Sequence, residues 1–105
     1  MFHTELSDRW NTFFIHFQMA QIGAEVGRVA SWKKKGHEKM MLNAMYRAIE
    51  LLDMTIRDPK NVSSLKEILR VKEVLVDFAI GDNRYRSTAD DWEKYFFYFT
   101  IAARR

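Results

Sequence analysis

The sequence predicts an all-α fold: a four-helix antiparallel up-down bundle with a long first helix, built by 1–105 as a single domain. Three observations carry this. Apolar residues recur at three- and four-residue spacing through four separate segments, the mark of amphipathic helices. The 105 residues hold one proline and four glycines, which leaves room for long helices. The connections between the segments are short, and short connections set successive helices side by side in alternating direction. No strand candidate of credible length, low-complexity segment or internal repeat interrupts the pattern.

The first helix is expected over 7–35. Ser7 or Asp8 supplies an N-cap oxygen, and Leu6, Trp10, Phe13, Phe17, Ala20, Ala24 and Gly27 form a stripe. Lys33, Lys34 and Lys35 suit the negative end of the helix dipole, and Gly36 suits a left-handed C-cap. Such a helix spans roughly 40 Å at 1.5 Å per residue, against nearer 25 Å for the last helix. It must overhang the bundle or bend, with Gly23 and Gly27 as the expected points of bending.

The second helix is expected over 37–57, with Met41, Met45, Ala48 and Leu52 inward and Asp58-Pro59 as its stop. The third is expected over 63–80. Ser64 and Glu67 read as a capping box, Leu65, Ile68, Val71, Leu75 and Phe78 as the inner face, and Gly81 as the end. A polar connection from Gly81 to Ser87 leads to the fourth helix, 88–103. Ser87 or Thr88 caps it, with Asp90 and Asp91 in its first turn. The expected core is Trp10, Phe13, Phe17, Met45, Leu52, Ile68, Leu75, Phe78, Trp92, Phe96 and Phe99.

Six of the eight residues from Trp92 to Phe99 are aromatic. On a helix, Trp92, Tyr95, Phe96 and Phe99 share one face, while Phe97 and Ile101 point nearly the opposite way and Tyr98 widens the apolar arc. A bundle buries one face of each helix and not two, so Phe97, Tyr98 and Ile101 are expected to meet a partner. On the first helix, Ala20, Gly23, Ala24, Gly27, Ala30 and Ser31 form a patch of small residues containing Gly23-x-x-x-Gly27. Close packing against the aromatics of the last helix is the ordinary use of such glycines; a contact between two copies of the first helix is the alternative. Gly23 and Gly27 therefore join the expected partner surface.

Composition excludes several classes. Cysteine is absent, so disulfides and thiolate metal sites are ruled out, in keeping with a reducing, cytoplasmic compartment. Glu5, Asp8 and Arg9 fall where a signal peptide would carry its apolar stretch, and no apolar run approaches the ~20 residues of a membrane span. His3, His16 and His37 have no ligand partners at helical spacing, so no metal or cofactor is expected. A tetratricopeptide reading of Trp32 to Asn61 fails on register, and no second copy is present. The net charge of +3 and the pI of 9.3 suggest nucleic acid only weakly. Arg28, Lys33, Lys34, Lys35, Arg84 and Arg86 would have to converge on one face to carry that reading.

Arg9 and His16 stand in the spacing Arg-x6-His, which resembles the loose catalytic motif of HEPN-type ribonucleases, themselves small helical bundles that often work as dimers. The resemblance implies that Arg9 holds phosphate and that His16 moves a proton at the ribose 2′-hydroxyl. That family usually places the motif later in its bundle, whereas here it falls in the first helix.

A broader likeness begins near Ala20. It rests on Gly23-Ala-Glu-Val-Gly-Arg28, Trp32-Lys-Lys-Lys-Gly36, Arg47-Ala-Ile-Glu-Leu-Leu-Asp53, Asp58-Pro59, Lys66-Glu67, Val74-Leu-Val-Asp77, Gly81-Asp82-Asn83, and Lys94-Tyr95-Phe96 to Ala102-Ala103-Arg104. In these the chain resembles a group of small, uncharacterised, all-helical bacterial proteins. The likeness implies a bacterial cytoplasmic setting and no activity. The functional expectation is thus a non-enzymatic helical interaction module working through a protein partner or a homodimer. A nucleic-acid-binding or HEPN-like bundle using Arg9 and His16 is the alternative. No membrane association and no small-molecule ligand are indicated.

Overall fold

The computed structural model describes residues 10–104. Among these residues four helices follow one another: α1 (Ile15–Lys35), α2 (Glu38–Arg57), α3 (Leu65–Ile80) and α4 (Ala89–Ala103), with a 3-10 turn at Pro59–Ser64 between α2 and α3. They form the expected all-α four-helix bundle, with no strand among the described residues. α1 is the longest helix and lies between α2 and α4, packing extensively against both. α3 packs on α2, and the seam between α3 and α4 is the loosest side.

The core follows the expected list with one departure. Trp10, Met45, Leu52, Ile68, Leu75, Phe78, Trp92, Phe96 and Phe99 are buried, Phe13 is half-buried, and Phe17 is 38% exposed. The departure comes from α1, which begins at Ile15 and not near Ser7. Leu6, Ser7 and Asp8 lie outside the described residues. Trp10 is followed by a turn, in which the Phe13 amide donates to the Trp10 carbonyl at 3.1 Å, and Phe14 is extended. The corner at 11–14 shortens the first helix, which then runs without interruption through Gly23 and Gly27.

Breaking the helix there changes which face of α1 turns inward. Met19, Ile22, Val26 and Val29 are buried, in place of the expected Phe17, Ala20, Ala24 and Gly27 stripe. The corner is favoured because it returns Trp10 to the bundle. The indole Nε1 donates to Thr55 Oγ1 at 2.9 Å, and the Trp10 carbonyl accepts from Gln18 Nε2 at 2.9 Å.

These bonds belong to a cluster that uses all four buried polar residues among those described, Gln18, Thr55, Asp58 and Asn61. Gln18 Nε2 also donates to Asp58 Oδ2 at 3.1 Å. Asn61 Nδ2 donates to Gln18 Oε1 at 2.7 Å and to the Thr55 carbonyl at 3.1 Å. Thr55 Oγ1 donates to the Leu51 carbonyl at 2.8 Å. The Lys60 amide and ammonium both donate to Asp58, and the ammonium reaches the Asn11 carbonyl at 3.0 Å. Buried polar groups this well paired tie the corner, α1, the end of α2 and the 3-10 turn together.

The helix ends mostly obey their sequence signals. Gly36 is left-handed at φ 77°, with its amide on the Lys33 carbonyl at 3.1 Å. Thr88 caps α4 in a full capping box with Asp91. The Ser64–Glu67 capping box does not form. The 3-10 turn runs directly into α3, and the Leu65 amide bonds to the Val62 carbonyl. Glu67 is left to accept a hydrogen bond from the Tyr95 hydroxyl on α4.

Candidate functional site

Gly23 and Gly27 share a helix and have different surroundings. A methyl built on Gly23 would lie 2.7 Å from both Cβ and Cγ of Phe96, so α1 and α4 approach here at a distance that only glycine permits. The close-packing use expected for this residue pair is therefore real at Gly23. A methyl built on Gly27 would meet nothing within 4 Å.

Gly27 instead lines an open groove of about 680 Å³ along the outer side of α1 and α4. Ala20, Ala24 and Ala30 share its floor, and Trp92, Phe96 and Phe97 stand along the other wall. Lys34, Gln21 and Glu93 supply its polar rim. Phe97 is 61% exposed and Ile101 is half-buried. Tyr98 is 63% exposed but faces a different cleft, so the expected partner residues divide between two surfaces. Trp92 lies between the groove and the α3/α4 seam. It is buried, and its indole N–H has no hydrogen-bond partner among the described residues.

The basic residues are gathered only in part. The antiparallel order brings the end of α1, the end of α3 and the start of α4 to one end of the bundle. Lys33 Nζ lies 5.6 Å from the centre of the Phe78 ring, Lys35 Nζ lies 5.0 Å from that of Trp32, and Lys34 faces the same groove as Ala89. Arg84 and Arg86 are exposed on the loop that joins α3 to α4 at this end. Arg28 lies further down α1, paired with Glu25 at 3.2 Å. Glu38, Asp82, Asp90 and Asp91 stand at that same end of the bundle, so the bases there are interspersed with acids.

That loop owes its form to Asp77, whose carboxylate accepts from the Arg84 amide at 2.9 Å and the Tyr85 amide at 3.0 Å. These bonds, that from Tyr85 foremost, hold the Asp77 carboxyl below its ordinary pKa. Tyr85 donates to Glu73 and lies under the Arg70 guanidinium at 5.7 Å. Asn83 and Arg86 take left-handed φ values of 52° and 54°.

The cleft that Tyr98 faces has a volume of about 470 Å³ and is lined by His16, Ser64, Glu67, Lys94, Tyr95 and Phe99, among others. His16 touches the Tyr98 and Phe99 rings, each at 6.0 Å between centres. Arg9 lies outside the described residues, so its placement relative to His16 is not described. Tyr95 is half-buried. Its burial, and then its bond to Glu67, push the phenol well above its usual pKa and keep it a donor. Sequence reasoning missed this cleft, because its members stand on three helices and each has an ordinary local use. A tyrosine on an inward face was the one available signal, since its hydroxyl requires a partner.

No family model matches the chain, and neither the curated proteins nor the solved structures contain a match.

Proposed function

We propose that the protein is a non-enzymatic helical interaction module that docks a protein partner, or a second copy of itself, through the outer face of α1 and α4. Gly27 carries this reading. An interior helical glycine costs about 1 kcal/mol relative to alanine. At Gly23 the contact with Phe96 accounts for it, whereas none of the described residues fills the space above Gly27. A close approach by another chain would use it. Phe97 stands exposed beside the same groove, so the face carries both a projecting ring and a recess. A two-fold contact needs both on one surface. The cysteine-free composition agrees with a cytoplasmic setting.

The test is a photo-crosslinking residue placed at Phe97 in the producing cell. An adduct at twice the chain mass identifies a second copy, and a discrete heavier adduct identifies a foreign protein. Both should vanish when Gly27→Leu fills the groove floor. Absence of any discrete adduct would overturn the proposal.

A further inference from the structure

We infer that the cleft between the start of α1, the start of α3 and the middle of α4 binds a primary ammonium group carried on an apolar body. This site is separate from the Gly27–Phe97 face and does not depend on what that face does. Its volume of about 470 Å³ lies within the common range for small-ligand sites, about 300–1,000 Å³.

The floor is aromatic. Phe99 is 8% exposed, with Met19 and Ile68 buried beside it. Three rings of the cleft stand against Phe99, besides Phe96 on its inner side. Tyr98 stands at 5.2 Å and 80° to it, Tyr95 at 5.4 Å and 66°, and His16 at 6.0 Å and 36°. Aromatic faces attract a cation, and their edges and the neighbouring aliphatic groups receive an apolar body.

The polar groups at the rim are mainly acceptors, and the exposed Glu67 carboxylate keeps one oxygen open to solvent or to a ligand. Tyr95 donates to Glu67 Oε2 and so fixes the carboxylate at the rim; no described residue donates to Glu67 Oε1. Ser64, which would ordinarily cap α3, makes no side-chain capping bond. The His16 nitrogens have no hydrogen-bond partner among the described residues. An ammonium with N–H donors satisfies these groups, whereas a quaternary ammonium offers none.

The charges nearly balance. Lys94 borders the cleft but is held by Asp90 at 3.0 Å. Glu67 and Asp90 against Lys94 leave one net negative charge. The first turns of α1 and α3 oppose this with the partial positive charges of two helix N-termini, each equivalent to about half a unit. A carboxylate or phosphate drawn to those turns would have to lie beside Glu67.

Titration followed by amide NMR on the full chain decides the matter, with 2-phenylethylamine, its N,N,N-trimethyl derivative, 3-phenylpropionate and Nα-acetyl-lysine methylamide as probes. The inference expects 2-phenylethylamine or the lysine derivative to shift the resonances of Glu67, Tyr95 and Tyr98. Preference for the first assigns the group to a free amine, and preference for the second to a lysine side chain. The trimethyl derivative should bind more weakly and phenylpropionate not at all. Glu67→Gln, which keeps an acceptor for Tyr95, should weaken binding about tenfold or more with the melting temperature retained. Lys94→Gln should strengthen it, because it removes the competing cation. Binding of phenylpropionate at least as tight as that of the amines would overturn the inference. So would indifference of amine binding to Glu67→Gln, or no response to any amine at millimolar concentration.

Discussion

At the scale of single residues, the two glycines of α1 make opposite predictions from one substitution. Gly23→Ala pushes a methyl to within 2.7 Å of Phe96 and should destabilise the fold by about 1–3 kcal/mol, the usual cost of overpacking. Gly27→Ala meets open space in the single chain and should stabilise it by up to about 1 kcal/mol through helix propensity. Urea denaturation at low protein concentration compares the two directly, and equal effects of one sign would refute the distinction. The sequence showed both glycines and their spacing, since i and i+4 positions lie nearly above one another. It could not say which of them faced the aromatics, because that depends on the rotation of α1. The same limit applies to Glu67. Its spacing from Ser64 is that of a capping box, and only the 3-10 turn ahead of α3 frees it for Tyr95.

At the scale of elements, the corner at 11–14 and the polar cluster beneath it are one unit. Thr55→Val removes the acceptor for the buried Trp10 indole and should cost about 1–3 kcal/mol by leaving that donor unsatisfied. Acid should loosen the same unit. Burial alone would raise the Asp58 pKa. The side-chain bonds from Lys60 and Gln18, the bond from the Lys60 amide and the Lys60 charge outweigh burial and hold it below the ordinary 3.8. The stability this carboxylate contributes is therefore complete above the ordinary value, where both states are ionised. It declines as pH falls below that value and the unfolded chain takes up the proton first. Stability measured from pH 6 to pH 2 should fall less steeply in Asp58→Asn than in the wild type. Four helix ends were legible because Gly36, Asp58-Pro59, Gly81 and Thr88 act through their immediate neighbours. The start of α1 was not, because the reason to break the helix lies far along the chain, in Thr55 and Lys60.

At the scale of the whole molecule, the helix count and most of the core were legible, since periodicity alone reports which residues turn inward. The arrangement of the helices was legible only as alternation. That α1 is flanked by α2 and α4, with a loose seam between α3 and α4, depends on the rotations that bring Phe96 onto Gly23. Phe96 is 5% exposed, and Phe96→Ala should cost about 3–5 kcal/mol. Retention of the wild-type melting temperature by that variant would show that α4 is not anchored there.

The pairing of Gly23 with Phe96 also fixes an order of events during synthesis. Gly23 is made well before its partner, which lies about seventy residues further along the chain. At about 5–20 residues per second the interval lasts several seconds or more. Throughout it, α1 and α2 can pair, but the flank of α1 that α4 will cover stays open to solvent and to other nascent chains. The protein is thus most vulnerable to capture by a chaperone, or to misassembly with a neighbouring chain on the same message, just before its last helix arrives.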